Sequence, residues 1–312
     1  MLDRLFDAIR DKVTARERRL FLLSVCVGFS MHFYIYAEQL TNPDGRWMAG
    51  GYTYRSTYWE TALGRWGIFL VDCTRGYLTS PIITCVISIA GMAISGLILL
   101  RILEIRGKIN SVIVMIMMMV MPCFSYTLSY WYCADAYTYA MMFSLMAVWS
   151  AKKTGKGIVI GAICMACALG LYQAYLGVTV GLCIIGLIVH GLENGGKTDT
   201  WCRECANYMF MGVLGLIIYW ILLRISLLIW NTQLSAYSGA NEIGIWNTLQ
   251  YLPDRFVHTY HVLFQWMFGD EIIYNAYWKR PFLYFMLLIV FATAFVINLS
   301  INRGGVKKKA LL

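Results

Sequence analysis

Apolar residues in this chain run in long, nearly unbroken blocks separated by short polar or aromatic stretches. A helix that crosses a bilayer needs about 20 mostly apolar residues. Eight stretches fit, near 20–37, 81–100, 109–128, 133–150, 158–171, 174–190, 208–230 and 281–299. The fifth and sixth come from one run, Ile158 to Val189, that is too long for a single helix and breaks at Gly170-Leu-Tyr-Gln-Ala-Tyr-Leu-Gly177. The third contains Pro122 and ends in an aromatic, semi-polar stretch, Phe124 to Tyr132. Segment 62–78 has apolar residues on nearly all sides, with glycines at 64, 67 and 76, and predicts a juxtamembrane helix in the first outer loop. The predicted fold is therefore all-α, a polytopic membrane protein of about eight transmembrane helices. One membrane domain covers 1–312, with core spans in 20–190 and, in 191–312, further spans around an outer segment, 231–280.

The N-terminal stretch 1–19 carries Leu2, Leu5, Phe6, Ile9 and Val13 on one helical stripe. It reads either as an amphipathic helix on the inner leaflet or as a solvated helix feeding the first span. It is highly charged, and no small-residue cleavage site follows it, so it does not read as a cleavable signal.

Composition agrees with the pattern. The chain is 59% apolar and 14% charged, with a mean hydropathy of +0.60. Soluble domains carry about 25% charged residues, and a disordered chain would be far less apolar. The excess of 26 Lys and Arg over 17 Asp and Glu would suggest nucleic acid in a soluble protein. Here it marks topology, because cytoplasmic loops collect Lys and Arg. With the N-terminus inside, 18 of the 26 fall on the inner side: six before the first span, three in 101–108, three in 151–157, two in 191–207 and four after 300. Seven fall outside, and Arg224 lies within a span. Both termini are expected in the cytoplasm, with the chain in the cytoplasmic membrane.

Most of the ten cysteines lie in apolar blocks, where they behave as small hydrophobes. Cys202-x-x-Cys205 has no second ligand pair, so no metal is expected. His258 and His261 read as surface or interface histidines. No glycine-rich phosphate loop is present, and no cofactor is expected.

Ionisable groups are costly within a bilayer and mark function where they are kept. Here they gather in the outer segments: 38–80 with Asp44, Arg46, Trp47, Arg55, Arg65, Trp66, Asp72 and Arg75, then 124–135, then Tyr172-Gln173-Ala-Tyr175, then 231–280. A secondary transporter would place them near the midplane. An interfacial position suits chemistry on a polar headgroup attached to a lipid. Asp44 has two readings, a general base for a sugar hydroxyl or the turn residue of Asn42-Pro-Asp-Gly45. Asp135 is either an acid favoured at a helix N-terminus or a second carboxylate facing Asp44 across one cavity. Arg46 and Arg65 could clamp a phosphate, whereas Arg55 and Arg75 read as lipid-headgroup contacts. Arg224 could snorkel outward or meet a lipid phosphate. The tryptophans and tyrosines are interface anchors or a face on which a sugar stacks.

The order of these landmarks resembles the phage-type O-antigen glucosyltransferase (Gtr) family, membrane enzymes of the GT-C group. The matching pieces are Asp44 after the first span, a Trp/Tyr-rich stretch ending in Gly64-Arg65-Trp66, Pro-Cys-Phe-Ser-Tyr…Tyr-Cys-Ala-Asp135, and Leu171-Tyr172-Gln173-Ala174. They cover residues of about 20–190. The resemblance implies a GT-C-like fold and transfer of a hexose, glucose by family habit, at the outer face of the membrane. The implied donor is a polyprenyl-phosphate-linked sugar, and the acceptor a surface polysaccharide or lipid-linked glycan. It makes Asp44 the catalytic base, with Asp135 as the second acid. Arg46, Arg65, Trp66, Tyr172, Gln173 and Arg224 become the substrate-binding set, with Arg65 first for the leaving phosphate. Two other classes compete: a flippase or exporter of polyprenyl-linked sugar, and a structural subunit whose outer aromatics contact partners.

Overall fold

The computed structural model describes residues 13–48, 53–153, 155–193, 198–237 and, within 250–262, all positions but 252 and 255. Two compact units divide it, Met1–Ser235 and Ala236–Leu312. Among the described residues the first unit is helical and forms no strand, only an isolated bridge between Thr53 and Leu78.

Each of the seven apolar stretches within the described residues is helical. α1 (Ala15–Ala37) starts at a capping box, in which the Glu17 N–H donates to Thr14 Oγ1 (3.2 Å) and the Thr14 N–H to Glu17 Oε2 (2.9 Å). Four short helices follow or precede turns in the outer segments: α2 (Pro43–Met48), α3 (Tyr58–Ala62), α4 (Ile68–Thr74) and, later, α7 (Pro122–Leu128). The long elements are α5 (Pro81–Ile102), α6 (Lys108–Val120), α8 (Ala134–Ala151), α9 (Lys156–Leu171), α10 (Tyr175–Glu193) and α11 (Thr198–Ile229). By length and hydropathy α1, α5 and α11 can each cross a membrane, and the α6–α7 pair, bent by 44°, makes up to four. α9 and α10 are shorter apolar helices. The stretch 281–299 and residues 1–12 of the N-terminal stretch lie outside the described residues. So does most of 231–280.

Two expectations change. Segment 62–78 is not one helix. Gly64 takes a left-handed backbone (φ +83°), so the chain turns at Leu63–Gly67 and splits into α3 and α4. The last described span starts at Thr198, about ten residues before 208. Its polar first turns stay helical because Glu204, one turn before Tyr208, accepts from that hydroxyl (2.7 Å) and pairs with His190 of α10 (2.8 Å). Cys202 and Cys205 thus sit on a helix, and no cluster of three metal-ligating side chains occurs among the described residues.

α8 is the hub, packed against α5, α9 and α10, while α9 also packs on α11. Small residues permit these approaches, as they do wherever helices pack without water to drive them together. Ala147 and Ala162 are fully buried, and a Cβ on Gly161 would lie 2.8 Å from the Ala147 carbonyl. Large apolar side chains point outward instead, among them Leu22, Phe33, Ile82, Ile113, Ile184 and Ile217. A molecule with small residues at its helix contacts and many large apolar side chains on its surface is a membrane protein.

The α6–α7 break shows how polar groups are settled within the bundle. Pro122 has no N–H, and the chain leaves helical geometry at Met121 (ψ 130°). The Met119 carbonyl, left without a helical donor, receives His32 Nε2–H at 2.8 Å, and the His32 ring sits edge-on to Phe124. His32 is 2% exposed. Replacing His32 by Ala should leave that carbonyl unsatisfied and cost about 1–3 kcal/mol, read as a lower midpoint for unfolding in detergent. His32→Gln, which can still donate, should recover much of it.

In the second unit the described positions 250, 251, 253, 254 and 256–262 are helical and exposed, His258 and His261 among them.

Candidate functional site

Chain order brings four polar pieces to one end of the first unit: residues 40–48, 53–80, 128–137 and 171–175. The first is tied to the third. Thr41 Oγ1–H and the Asn42 N–H both donate to the Ser129 carbonyl, at 2.8 and 3.2 Å. Asn42 caps α2, its Oδ1 accepting from the Gly45 N–H at 2.6 Å. The local bond expected of Asp44 as a turn residue is therefore made by Asn42. Asp44 is exposed, and among the described residues its carboxylate has no hydrogen-bond or ion-pair partner. Arg46 and Trp47 project beside it, Trp47 at 86% exposure.

The Gly64-Arg65-Trp66 turn is braced from behind. Gln173 Nε2–H donates to the Leu63 carbonyl (2.7 Å) and to Tyr219 Oη (3.2 Å), and Tyr219 O–H donates to the Gly64 carbonyl (3.1 Å). The Gly67 N–H donates to the Gly170 carbonyl at 2.7 Å. Trp66 lies flat on Gly170, where a Cβ would come within 2.4 Å of its ring. Arg65 leaves this turn over the Tyr172 ring, 4.7 Å from the centroid, and its Nη1 reaches Tyr137 Oη at 3.5 Å. Tyr137 and Tyr172 stack at 4.7 Å. No carboxylate pairs with Arg65 among the described residues, and its Nε is buried without a hydrogen-bond acceptor. The guanidinium is held by rings and a hydroxyl, and its charge stays available.

A continuous tyrosine array links the two halves. Tyr54 meets Tyr132, Tyr132 meets Tyr130, and Tyr130 meets both Tyr126 and Tyr137, with centroids 4.9 to 6.2 Å apart. Burial is the main force pushing the Tyr132 phenol above its ordinary value. Cys133 and the Asp44 charge add to the rise, while the Arg65 charge opposes it. Asp44 and Arg65 thus act on one ring from opposite electrostatic sides.

Asp135 has two readings, an acid at a helix N-terminus or a second carboxylate facing Asp44 across a cavity, and the structure places it at a helix start. It is fully buried at the start of α8. Its Oδ2 lies 2.8 Å from Arg75 Nε, and its Oδ1 accepts from the Ala136 N–H at 3.0 Å. Arg75 also pairs with Asp72 (2.5 Å) and donates to the Leu78 and Tyr132 carbonyls at 3.1 and 2.9 Å. The second Asp72 oxygen accepts from the Ser56 N–H at 2.8 Å. Arg75 is 8% exposed, which corrects its reading as a lipid-headgroup contact. Its charge was legible as cationic but its partners, 3 and 60 residues away, were not. Nearby, Glu60 caps α3 and accepts from the buried Tyr54 hydroxyl. The Thr57-x-x-Glu60 spacing is a sequence signal for the cap, not for the Tyr54 bond. Tyr137 and Tyr219 had no such signal. Arg224 is exposed and lies over Trp220, one turn back on α11, at 4.8 Å. Nothing among the described contacts brings it to the Arg65 turn.

The fold and the site define a polytopic, all-helical membrane protein with a cationic, aromatic site built from the loops at one end of its bundle. A family model for Glucosyl transferase GtrII matches residues 50–312. The chain therefore belongs to the GtrII glucosyl transferase family, and it is a glycosyltransferase. Arg65, Trp66, Asp135, Tyr172, Gln173 and Arg224 lie inside the matched region, while Asp44 and Arg46 precede it. Comparison with curated proteins and with solved structures returns no match.

Removing Arg75 would strand two buried carboxylates. Arg75→Ala should cost about 3–5 kcal/mol, seen as poor yield of folded protein in detergent. Asp135→Asn, which keeps the guanidinium paired with Asp72, should be milder.

Proposed function

We propose that the protein transfers a hexose, glucose by its family, from a polyprenyl-phosphate-linked donor to a surface polysaccharide or lipid-linked glycan. The observation that carries this reading is a carboxylate, Asp44, and a guanidinium, Arg65, neither with an ion-pair partner among the described residues, both bearing on the tyrosine array. In this reading the chain crosses the cytoplasmic membrane eight times with both termini inside, and the site faces outward. The charge asymmetry of the loops supports that orientation.

The chemistry then follows from the charges. Asp44 accepts the proton of an acceptor hydroxyl as its oxygen attacks the anomeric carbon. The bond from that carbon to the phosphate oxygen breaks, and negative charge grows on the departing lipid phosphate. Arg65 lies ready to stabilise it, because no carboxylate among the described residues pairs with it. A single displacement of this kind inverts the anomeric centre. Arg46 and Trp47, exposed beside Asp44, contact the sugar or its phosphate. Trp66, Tyr172 and Gln173 act through Arg65: the first packs the turn, the second supports the guanidinium, and the third braces the carbonyl of Leu63. Asp135 positions the loop through Arg75. Arg224 meets a lipid phosphate at the edge of α11.

The test is label transfer from radiolabelled polyprenyl-phosphate-glucose to a membrane glycan by purified protein. Asp44→Asn should lower the rate by about 10²–10⁴ without moving the thermal midpoint. Arg65→Ala should lower it by about 10²–10³, and Arg65→Lys by less. Undiminished transfer by Asp44→Asn would remove the base assignment, and no transfer by folded wild type from several such donors would remove the enzyme reading.

A further inference from the structure

A cavity of about 570 Å³ opens at the end of the bundle opposite Asp44, where α1 begins and α5 and α8 end. That volume falls in the range of small-molecule sites. Its apolar floor is Leu20, Leu97, Leu100 and Trp149, and three arginines, Arg16, Arg101 and Arg106, stand around it. Two acids, Glu17 and Glu104, share the lining.

The charges are not equally engaged. Arg101 and Glu17 form a closed pair at 2.6 Å, with the Arg101 guanidinium also 5.6 Å from the Trp149 centroid. Among the described residues Arg16 donates to neutral acceptors, the Ser111 hydroxyl and the carbonyls of Gly107 (3.2 Å) and Ile105 (3.5 Å). Arg106 and Glu104 are loosely apposed at 3.8 Å, and the Arg106 side chain is 86% exposed. Lys153 adds a further cation over Trp149 at 4.5 Å.

From this we infer a second ligand site, one for the phosphodiester headgroup of a phospholipid. Within the lining, which Lys153 does not join, one cation unmatched among the described residues and one open pair suit a single negative charge, received by Arg106 and Arg16. A multiply charged phosphate would meet Glu17 and Glu104. A zwitterionic headgroup can place its ammonium at Glu104. The floor gives the acyl chains an apolar surface to lie on, which a soluble phosphate would not use. The site is separate from the sugar-transfer reading, and its test measures no transfer.

Full-length protein in neutral detergent would be titrated with phosphatidylglycerol, phosphatidylethanolamine, diacylglycerol and free glycerol phosphate, with bound lipid counted by native mass spectrometry. Both phosphodiester lipids should bind, and Arg106→Gln should weaken them roughly tenfold, the worth of one charge-assisted contact. Arg106 is exposed, so this variant should fold as wild type does. Arg18→Gln, exposed on α1 but outside the cavity lining, should bind as wild type. Equal weakening by Arg18→Gln would mean diffuse surface attraction and would overturn the site. So would equal binding of diacylglycerol, unchanged binding by Arg106→Gln, or full competition by glycerol phosphate.

Discussion

Arg75 stands between two carboxylates in a place water does not reach, and the loop-bearing end of the bundle is arranged around it. Asp72 comes from α4, Asp135 from the start of α8, and the carbonyls of Leu78 and Tyr132 complete its shell. Charges removed from water are tolerated only when paired and hydrogen-bonded. This one cation satisfies that demand by drawing three segments together. It joins the loop between α1 and α5 to the hub helix. Everything the loop carries is thereby given a fixed base.

From that base the Gly64-Arg65-Trp66 turn is placed by a second set of contacts, all backbone-directed. Gln173 and Tyr219 hold carbonyls on one side, and Gly67 meets the Gly170 carbonyl on the other. Two glycines are used for distinct reasons here. Gly64 supplies a left-handed backbone, and Gly170 leaves room for the Trp66 ring. A turn built this way holds its arginine without a counter-ion. Such a preorganised charge can stabilise negative charge that develops beside it.

The sequence made the helices legible because bilayer-length apolar runs leave few alternatives. Seven predicted stretches are helical in the described residues, and Pro122 marked the bend in the third. The outer loops were less readable. Apolar residues on all sides of 62–78 pointed to one helix, whereas a single backbone conformation at Gly64 divides it. The Arg65 motif, Tyr172 and Gln173 do meet, since short motifs kept their order along the chain. Tyr219 and Arg75 were missed because their partners lie far away in sequence, and no local period records such distances. Asp135 stood out as an acid at a helix start, but whether an acid faces solvent or an arginine depends on the packing of a different loop.

Arg65 and Arg75 sit ten residues apart on one loop, and the sequence offers little to tell them apart. Their surroundings do. Arg75 has two carboxylates within 2.8 Å and almost no exposure, so its charge is consumed in holding the fold. Arg65 has rings and a phenol for neighbours, which support a guanidinium without cancelling it. The same distinction separates the acids. Asp72 and Asp135 are engaged, and Asp44 is not, because Asn42 does the capping that would otherwise have occupied it. In a chain with 14% charged residues, an acid and an arginine that have no ion-pair partner among the described residues, both close enough to bear on the Tyr132 phenol, stand apart from the charges that hold the fold.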